Sequence, residues 1–161
     1  MLFDFLFILF CMFTSHCKMV NKRRFGNNHN YHLGNFLGAL IVAQQKKKVS
    51  YAYWPSSKLI LDVARNLRAE GFISGYVVSS VREATQITVF LKYHPVTTEP
   101  LLAGLCLYAS PSRQYNIKYK SLVNLTRGKS NLYFLSTVAG VVTSEYCLSK
   151  GLGGNLLFRL Q

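Results

Sequence analysis

Leu33, Phe36, Leu37, Leu40 and Ile41 are spaced i, i+3, i+4, i+7 and i+8, a pattern that lines one side of a helix. The pattern predicts a first helix ending near Gln44 and Gln45. Lys46, Lys47 and Lys48 follow at its C-terminal end, where the helix dipole favours cations. Residues 49–54 read as a short extended piece leading to Pro55. A second stripe of Leu59, Ile60, Val63, Ala64 and Leu67 can be capped by Ser56 or Ser57, and Gly71 is placed to close it in the left-handed conformation. Lys58, Arg65 and Arg68 fall outside that stripe. Residues 76–80 and 86–93 read as strands. In the second, Ile87, Val89, Leu91 and Tyr93 alternate with Thr88, Phe90 and Lys92, and 81–85 has the length of a hairpin connection. Residues 31–95 therefore read as helix, strand, helix, strand, strand.

Pro95 and Pro100 mark a change of texture. Beyond them the apolar runs are short and β-like. Residues 101–109 read as a strand, 110–114 as a turn, and 115–120 as an alternating segment carrying Lys118 and Lys120. Residues 121–130 are ambiguous, with room for a short helix. Residues 132–137 form a strand, and a short helix beginning at Thr143 or Ser144 runs to Gly151. Residues 155–160 form the last strand.

Composition changes this picture mainly through charge. Hydrophobic residues make up 50% of the 161, enough for a sizeable core, while 19 Lys and Arg face six acidic residues for a net charge of +13. Such a balance calls for a polyanion, nucleic acid first and an anionic membrane surface second. Cys11, Cys17, Cys106 and Cys147 contain no CxxC pair, and His29 and His32 have no third ligand nearby in the sequence. No metal or other cofactor is expected. Gly151-Leu152-Gly153-Gly154-Asn155 lacks the Gly-Lys-Ser/Thr ending of a phosphate loop and precedes a strand rather than a helix. With four histidines and six acidic residues, none at catalytic spacing, neither an enzyme nor a small-molecule substrate is expected.

The apolar run over residues 1–13, broken by Asp4, is shorter than the ~20 residues of a spanning helix. As a signal-peptide core it lacks a basic leading segment, since Lys18 and Lys22-Arg23-Arg24 come after it. Asn124-Leu125-Thr126 is a glycosylation sequon if the chain is secreted. A third reading starts the functional protein at Met19, with residues 19–31 as an extended basic arm. A membrane-tethered or secreted basic protein is thus the competing reading, although a membrane partner is the less expected one.

Two blocks carry a resemblance. Pro55-Ser56-Ser57-Lys58 opens a helix that closes on Glu70-Gly71-Phe72-Ile73. Ser136-Thr137, Gly140 and Thr143 precede a short helix, then Gly151, Gly153 and Gly154 and a terminal strand. Over residues 31–161 this order and spacing resembles the universal small-subunit ribosomal protein S-eight family, of bacterial and organellar type. The resemblance implies an α+β fold in which an N-terminal α/β domain, residues 31–96, packs on a smaller, mostly β C-terminal domain with a short helix, residues 97–161. Residues 1–30 would be an N-terminal extension. It implies a structural constituent of the small ribosomal subunit that binds the central domain of small-subunit ribosomal RNA and supports its assembly, beside neighbouring small-subunit ribosomal proteins.

In the family the Ser-Thr loop and the glycine-rich turn face an irregular RNA internal loop. Carried over, Ser136, Thr137, Gly140, Gly153, Gly154 and Asn155 would read that loop, with Ser57 and Lys58 beside them. Lys118, Lys120, Lys46, Lys47 and Lys48 would hold phosphates. Hydroxyls can bond base edges and ribose 2′-OH groups, glycines permit close approach, and lysines set register. The bland versions are a strand end, a β-turn, a helix cap and solvated lysines. Tyr115 and Tyr119 offer rings for base stacking, but among ten tyrosines burial is the expectation. This chain departs from the family pattern at Val138 and Ala139, at Asn155 in place of an acid, and near Ala39, Ile41 and Val42, where arginines and an asparagine are usual. High Phe, Tyr, Leu and Asn usage together with these departures points to a mitochondrial ribosome, with plastid or bacterial cytoplasm as alternatives.

Overall fold

In the computed structural model, which describes residues 29–54, 56–81, 84–102, 104–110, 113–128 and 130–161, the first apolar stripe is helix α1 (His29–Gln45). It buries Leu33, Phe36, Leu37, Leu40 and Ala43. The helix takes in His29, Asn30 and Tyr31, which the sequence assigned to an extended arm. The rest of that arm, the apolar run, Met19, Lys22-Arg23-Arg24, Cys11 and Cys17 lie outside the described residues. Lys47 leaves the helix with a left-handed φ of 52°, while the Lys48 N–H donates to the Ala43 carbonyl.

Strand β1 (Ser50–Tyr53) leads to helix α2 (Lys58–Ala69), whose Ile60, Val63, Ala64 and Leu67 are buried as its stripe predicts. The cap is Ser57, whose Oγ accepts from the Ile60 N–H at 3.4 Å. Gly71, at φ 79°, turns the chain out of the helix, and the Phe72 N–H returns to the Leu67 carbonyl. Strands β2 (Ile73–Val81) and β3 (Ala84–Leu91) follow, in an antiparallel sheet of order β1-β3-β2. The connection is tighter than the expected 81–85, because Val81 already pairs with Ala84; Arg82 and Glu83 lie outside the described residues. Tyr53, Ile87, Val89 and Leu91 turn into the core, while Ala52, Val77 and Phe90 stand exposed on the other side.

The second sheet has the order β4-β8-β6-β7, with β5 also paired to β8. Its strands are β4 (Cys106–Leu107), β5 (Asn116–Ile117), β6 (Leu132–Thr137), β7 (Gly140–Thr143) and β8 (Gly154–Leu160). Helix α3 (Tyr119–Thr126) lies between β5 and β6, and α4 (Ser144–Lys150) between β7 and β8. The strand expected over 101–109 shrinks to two residues. Gly104 lies in a turn against the chain end, where a Cβ would sit 2.9 Å from the Cβ of Gln161. The alternation over 115–120 stops at Ile117, because α3 already begins at Tyr119. Strand β7 was not expected at all.

This sheet is covered on both faces. Along β6, Phe134 enters a core shared with α1, α2 and the first sheet, while Tyr133 and Leu135 enter a second core with Leu122, Cys147 and Leu156. Burial in that second core pushes the Cys147 thiol pKa up. A bulge between β6 and β8 lets Phe134 face Phe158 and Leu135 face Leu156, and the skipped Leu157 accepts from both the Tyr108 and Ala109 N–H groups. The Phe134 and Phe158 rings stack at 4.4 Å.

Two amides cross between the regions. Gln44 is buried, with its Nε2 donating to the Lys92 carbonyl at 3.0 Å and its Oε1 accepting from the Leu102 N–H at 3.1 Å. The Asn66 Nδ2 donates to the carbonyls of Asp62 and Val141, each at 2.8 Å. These bonds satisfy polar groups that would cost free energy if left unpaired; Gln44 ties α1 to the segment between the two sheets, and Asn66 ties α2 to β7 of the second.

Candidate nucleic-acid interface

The Asn66 bond brings the start of α2 beside the β6–β7 hairpin, and an open groove of about 320 Å³ lies between them. Lys58 and Asp62 of α2, Asn30 of α1, and Ser136, Gly140 and Asn155 of the second sheet line it. Lys58 is exposed at the first position of α2, where a cation gains nothing from the helix dipole and adds to its positive end. Asp62 stands one turn along and also pairs with Arg65 at 3.8 Å. One cation and one carboxylate make this a hydrogen-bonding groove rather than a bare phosphate clamp, since the carboxylate repels phosphate and accepts from hydroxyls and base amino groups.

The two hydroxyls of the hairpin differ. The Thr137 Oγ1 donates to the Gly140 carbonyl at 3.1 Å and accepts from the Ala139 N–H at 3.2 Å, so it closes its own turn. Among the described residues the half-buried Ser136 hydroxyl has no partner. Gly140 holds φ at 102°, a conformation that favours glycine at this two-residue turn. Val138 and Ala139 stand exposed at its tip.

The glycines after α4 have internal reasons. A Cβ on Gly153 would lie 2.5 Å from the Ile117 carbonyl oxygen, and one on Gly154 would lie 2.7 Å from that of Ser136. These are close approaches of chain to chain that seat β8 beneath the hairpin. The Asn155 Oδ1 accepts from the Tyr115 N–H at 3.0 Å, so the amide ties the β5 segment to the groove wall.

The structure thus joins Lys58, Ser136, Gly140 and Asn155 in one groove and places Thr137, Gly153 and Gly154 behind them as its frame. Ser57 serves as the α2 cap. Lys118 stands at the N-cap position of α3 beside Gly153, with no side-chain capping bond, and Lys120 lies within α3; both are exposed and neither lines the groove. Lys46, Lys47 and Lys48 are exposed at the far end of α1, 16 residues and roughly 24 Å from Asn30 at 1.5 Å per residue. They form a separate patch, held where the Tyr93 hydroxyl donates to the Lys48 carbonyl. The sequence reading missed Asn30 and Asp62. Asp62 is four residues from Lys58 and therefore on the same face of α2, a spacing that could have found it. Asn30 was hidden by the assumption of an extended arm; its Nδ2 donates to the Ser110 carbonyl at 3.3 Å.

Comparison with known proteins decides the family. The profile described as "Ribosomal protein S8" matches residues 32–160. This chain belongs to the ribosomal protein S8 family. It is 36% identical over 103 residues to "Small ribosomal subunit protein uS8" of Cellvibrio japonicus, covering 64% of this chain and 76% of that protein. To the protein of the same name in Brucella ovis it is 32% identical over 120 residues, 74% of this chain and 86% of the relative. To "Small ribosomal subunit protein uS8m" of Acanthamoeba castellanii it is 29% identical over 106 residues, 65% and 80% respectively. Membership makes the chain a structural protein of the small ribosomal subunit, with the α+β fold its sequence implied. These matches give the membrane-tethered alternative no support, and among the described residues no helix is long and apolar enough to cross a membrane.

Proposed function

We propose that this S8-family protein binds the central domain of small-subunit ribosomal RNA through the groove between α2 and the β6–β7 hairpin, and that this contact supports subunit assembly. The observation that carries the reading is the meeting of Lys58, Asp62, Ser136 and Asn155 from distant parts of the chain. A cation, a carboxylate, an unpartnered hydroxyl and an amide suit base edges and 2′-OH groups of irregular RNA better than the repeating phosphates of a duplex. Residues 31–96 supply Lys58 and residues 97–161 supply the hairpin, as two RNA-facing parts around a shared core. Thr137, Gly140, Gly153 and Gly154 shape the contact, with Ser57 fixing the start of α2. Lys118 and Lys120 beside the groove, and Lys46–Lys48 roughly 24 Å along α1, neutralise phosphates. Exposed Val138 packs against ribose or a base face where a serine would have bonded it. For the mitochondrial ribosome the support is the departures at Val138, Ala139 and Asn155 and one uS8m relative beside bacterial ones; plastid and bacterial ribosomes are the other assignments.

The test is equilibrium binding to a central-domain RNA fragment and to a fully paired duplex of equal length. Ser136→Ala is expected to weaken the fragment by about 1 kcal/mol, the scale of one hydrogen bond, and to leave the duplex unchanged. Log affinity is expected to fall with log salt by about 0.7–0.9 per phosphate neutralised. A protein that holds both RNAs equally well, before and after substitution, would refute specific reading by the groove.

A further inference from the structure

Outside the groove, one cluster combines a fixed ring with an exposed guanidinium. The Arg113 guanidinium lies 4.7 Å above the centroid of the Tyr115 ring. That ring meets Tyr108 edge-on, at 6.2 Å and 85°, and both tyrosines pack against the second core. The platform beneath Arg113 is therefore anchored rather than free. Arg113 itself is exposed, and among the described residues the ion pair Arg65–Asp62 is the one salt bridge, so no carboxylate of those residues claims the guanidinium. The Tyr115 ring lies under the guanidinium carbon, and the arginine as a whole is exposed.

We infer that Arg113, set over the Tyr115 ring, is a stacking step for an unpaired base of the bound RNA, reached around the β5 edge from the groove. This rests on the RNA-binding reading above and adds to it a contact of a different chemistry. The groove residues offer hydrogen bonds and a point charge; a guanidinium offers a π-like plane with N–H groups on its rim, able to stack a base and bond a phosphate at once. The step is joined to the groove wall on both sides of Tyr115: its N–H donates to the groove-lining Asn155 at 3.0 Å, and its carbonyl accepts from the Leu156 N–H at 2.8 Å. Tyr115 packs toward the second core, whereas Ser136 and Asn155 line the groove on the main-core side. An RNA strand leaving the groove would thus pass the β5 edge to arrive there. Exposed Lys118 and Lys120 follow in the same segment and extend the cationic path. An acidic protein segment would instead seek bidentate pairing at the guanidinium rim and has no use for a stacking surface.

The deciding variant is Arg113→Lys, which keeps the charge and removes the plane. Binding of the full chain is measured against the central-domain fragment, with its unpaired loop, and against the paired duplex. The expected result is about a tenfold loss on the fragment, at the low end of what one stacked base contributes. The salt slope, the duplex affinity and the melting temperature should stay unchanged. Unchanged binding to the fragment, or equal losses on both RNAs, would overturn the step. So would displacement of wild-type protein from RNA by polyglutamate that Arg113→Lys abolishes while RNA affinity holds. If Ser136→Ala discriminates and Arg113→Lys does not, the groove reading stands and this one falls. If the unsubstituted protein does not prefer the fragment, both fall together.

Discussion

The three-stranded sheet keeps one face wet, whereas the five-stranded sheet is covered on both. In the first, Ala52, Val77 and Phe90 look outward while Ile87, Val89 and Leu91 pack against the helices. In the second, neighbouring residues of β6 serve two different cores, Phe134 one and Tyr133 and Leu135 the other. The difference has a functional side. The doubly covered sheet is held from both sides, and it is this sheet that presents Ser136, Gly140 and Asn155. The singly covered sheet belongs to the region that carries the exposed lysines, Lys58 and the patch at Lys46–Lys48. On the proposed reading the discriminating hydroxyl and amide sit on the more constrained frame, while the charges are spread over both regions, Lys46–Lys48 and Lys58 on the first and Lys118 and Lys120 on the second.

The sharpest break between the sheets is expected at two phenylalanines. Phe134→Ala removes a buried ring stacked on Phe158 and should cost about 3–5 kcal/mol of unfolding free energy in a denaturant titration. Phe90→Ala, on the wet face, should cost under about 1 kcal/mol. Equal losses would mean that the outer face of the first sheet is covered in solution.

The same contrast explains what could be read from the chain alone. The helix-strand-helix-strand-strand order of the first region was legible because a wet face forces alternation, as from Ile87 to Leu91, and because Ser57 and Gly71 punctuate α2. In the second region alternation disappears, since Tyr133, Phe134 and Leu135 are all buried, and β7 was invisible because Gly140 to Thr143 read as a loop before a helix. Of the residues lining the candidate groove, Lys58, Ser136, Gly140 and Asn155 were named from their motif. Their meeting was not legible, because it depends on Asn66 reaching Val141 across 75 positions of sequence. Gly153 and Gly154 suggested close approach to a ligand, and the close approaches the structure gives them within the chain, to the carbonyls of Ile117 and Ser136, involve strands distant in sequence. Arg113 did carry a local signal that went unused: it stands two residues before Tyr115, and residues i and i+2 of an extended segment share a face.

A smaller effect separates two glycines. Gly154→Ala places a Cβ 2.7 Å from the Ser136 carbonyl oxygen and 2.8 Å from the Thr137 Cγ2, so backbone must move, at a cost of about 1–3 kcal/mol. Because Ser136 moves with it, affinity for the looped RNA fragment should fall as well. Gly75→Ala in β2 meets only the Phe90 ring edge at 4.0 Å and should be neutral or slightly stabilising. A tolerated Gly154→Ala would show that β8 is not seated as described.

The smallest expected change tests whether the cap of α2 and the charge beside it are separable. The Ile60 N–H reaches the Ser57 Oγ at 3.4 Å, a long bond, so Ser57→Ala should cost about 0.5–1 kcal/mol, the lower part of the range for caps. Lys58 would remain exposed at the groove, and the salt dependence of RNA binding should not change. Lys58→Gln should do the reverse: little effect on stability, because the lysine opposes the helix dipole, and a salt slope reduced by about 0.7–0.9, one phosphate's worth. If Ser57→Ala alone reduced the slope by that amount, the cap would be holding the lysine in register. The division between a constrained hydrogen-bonding wall and an independent charged wall would then have to be redrawn as one cooperative unit.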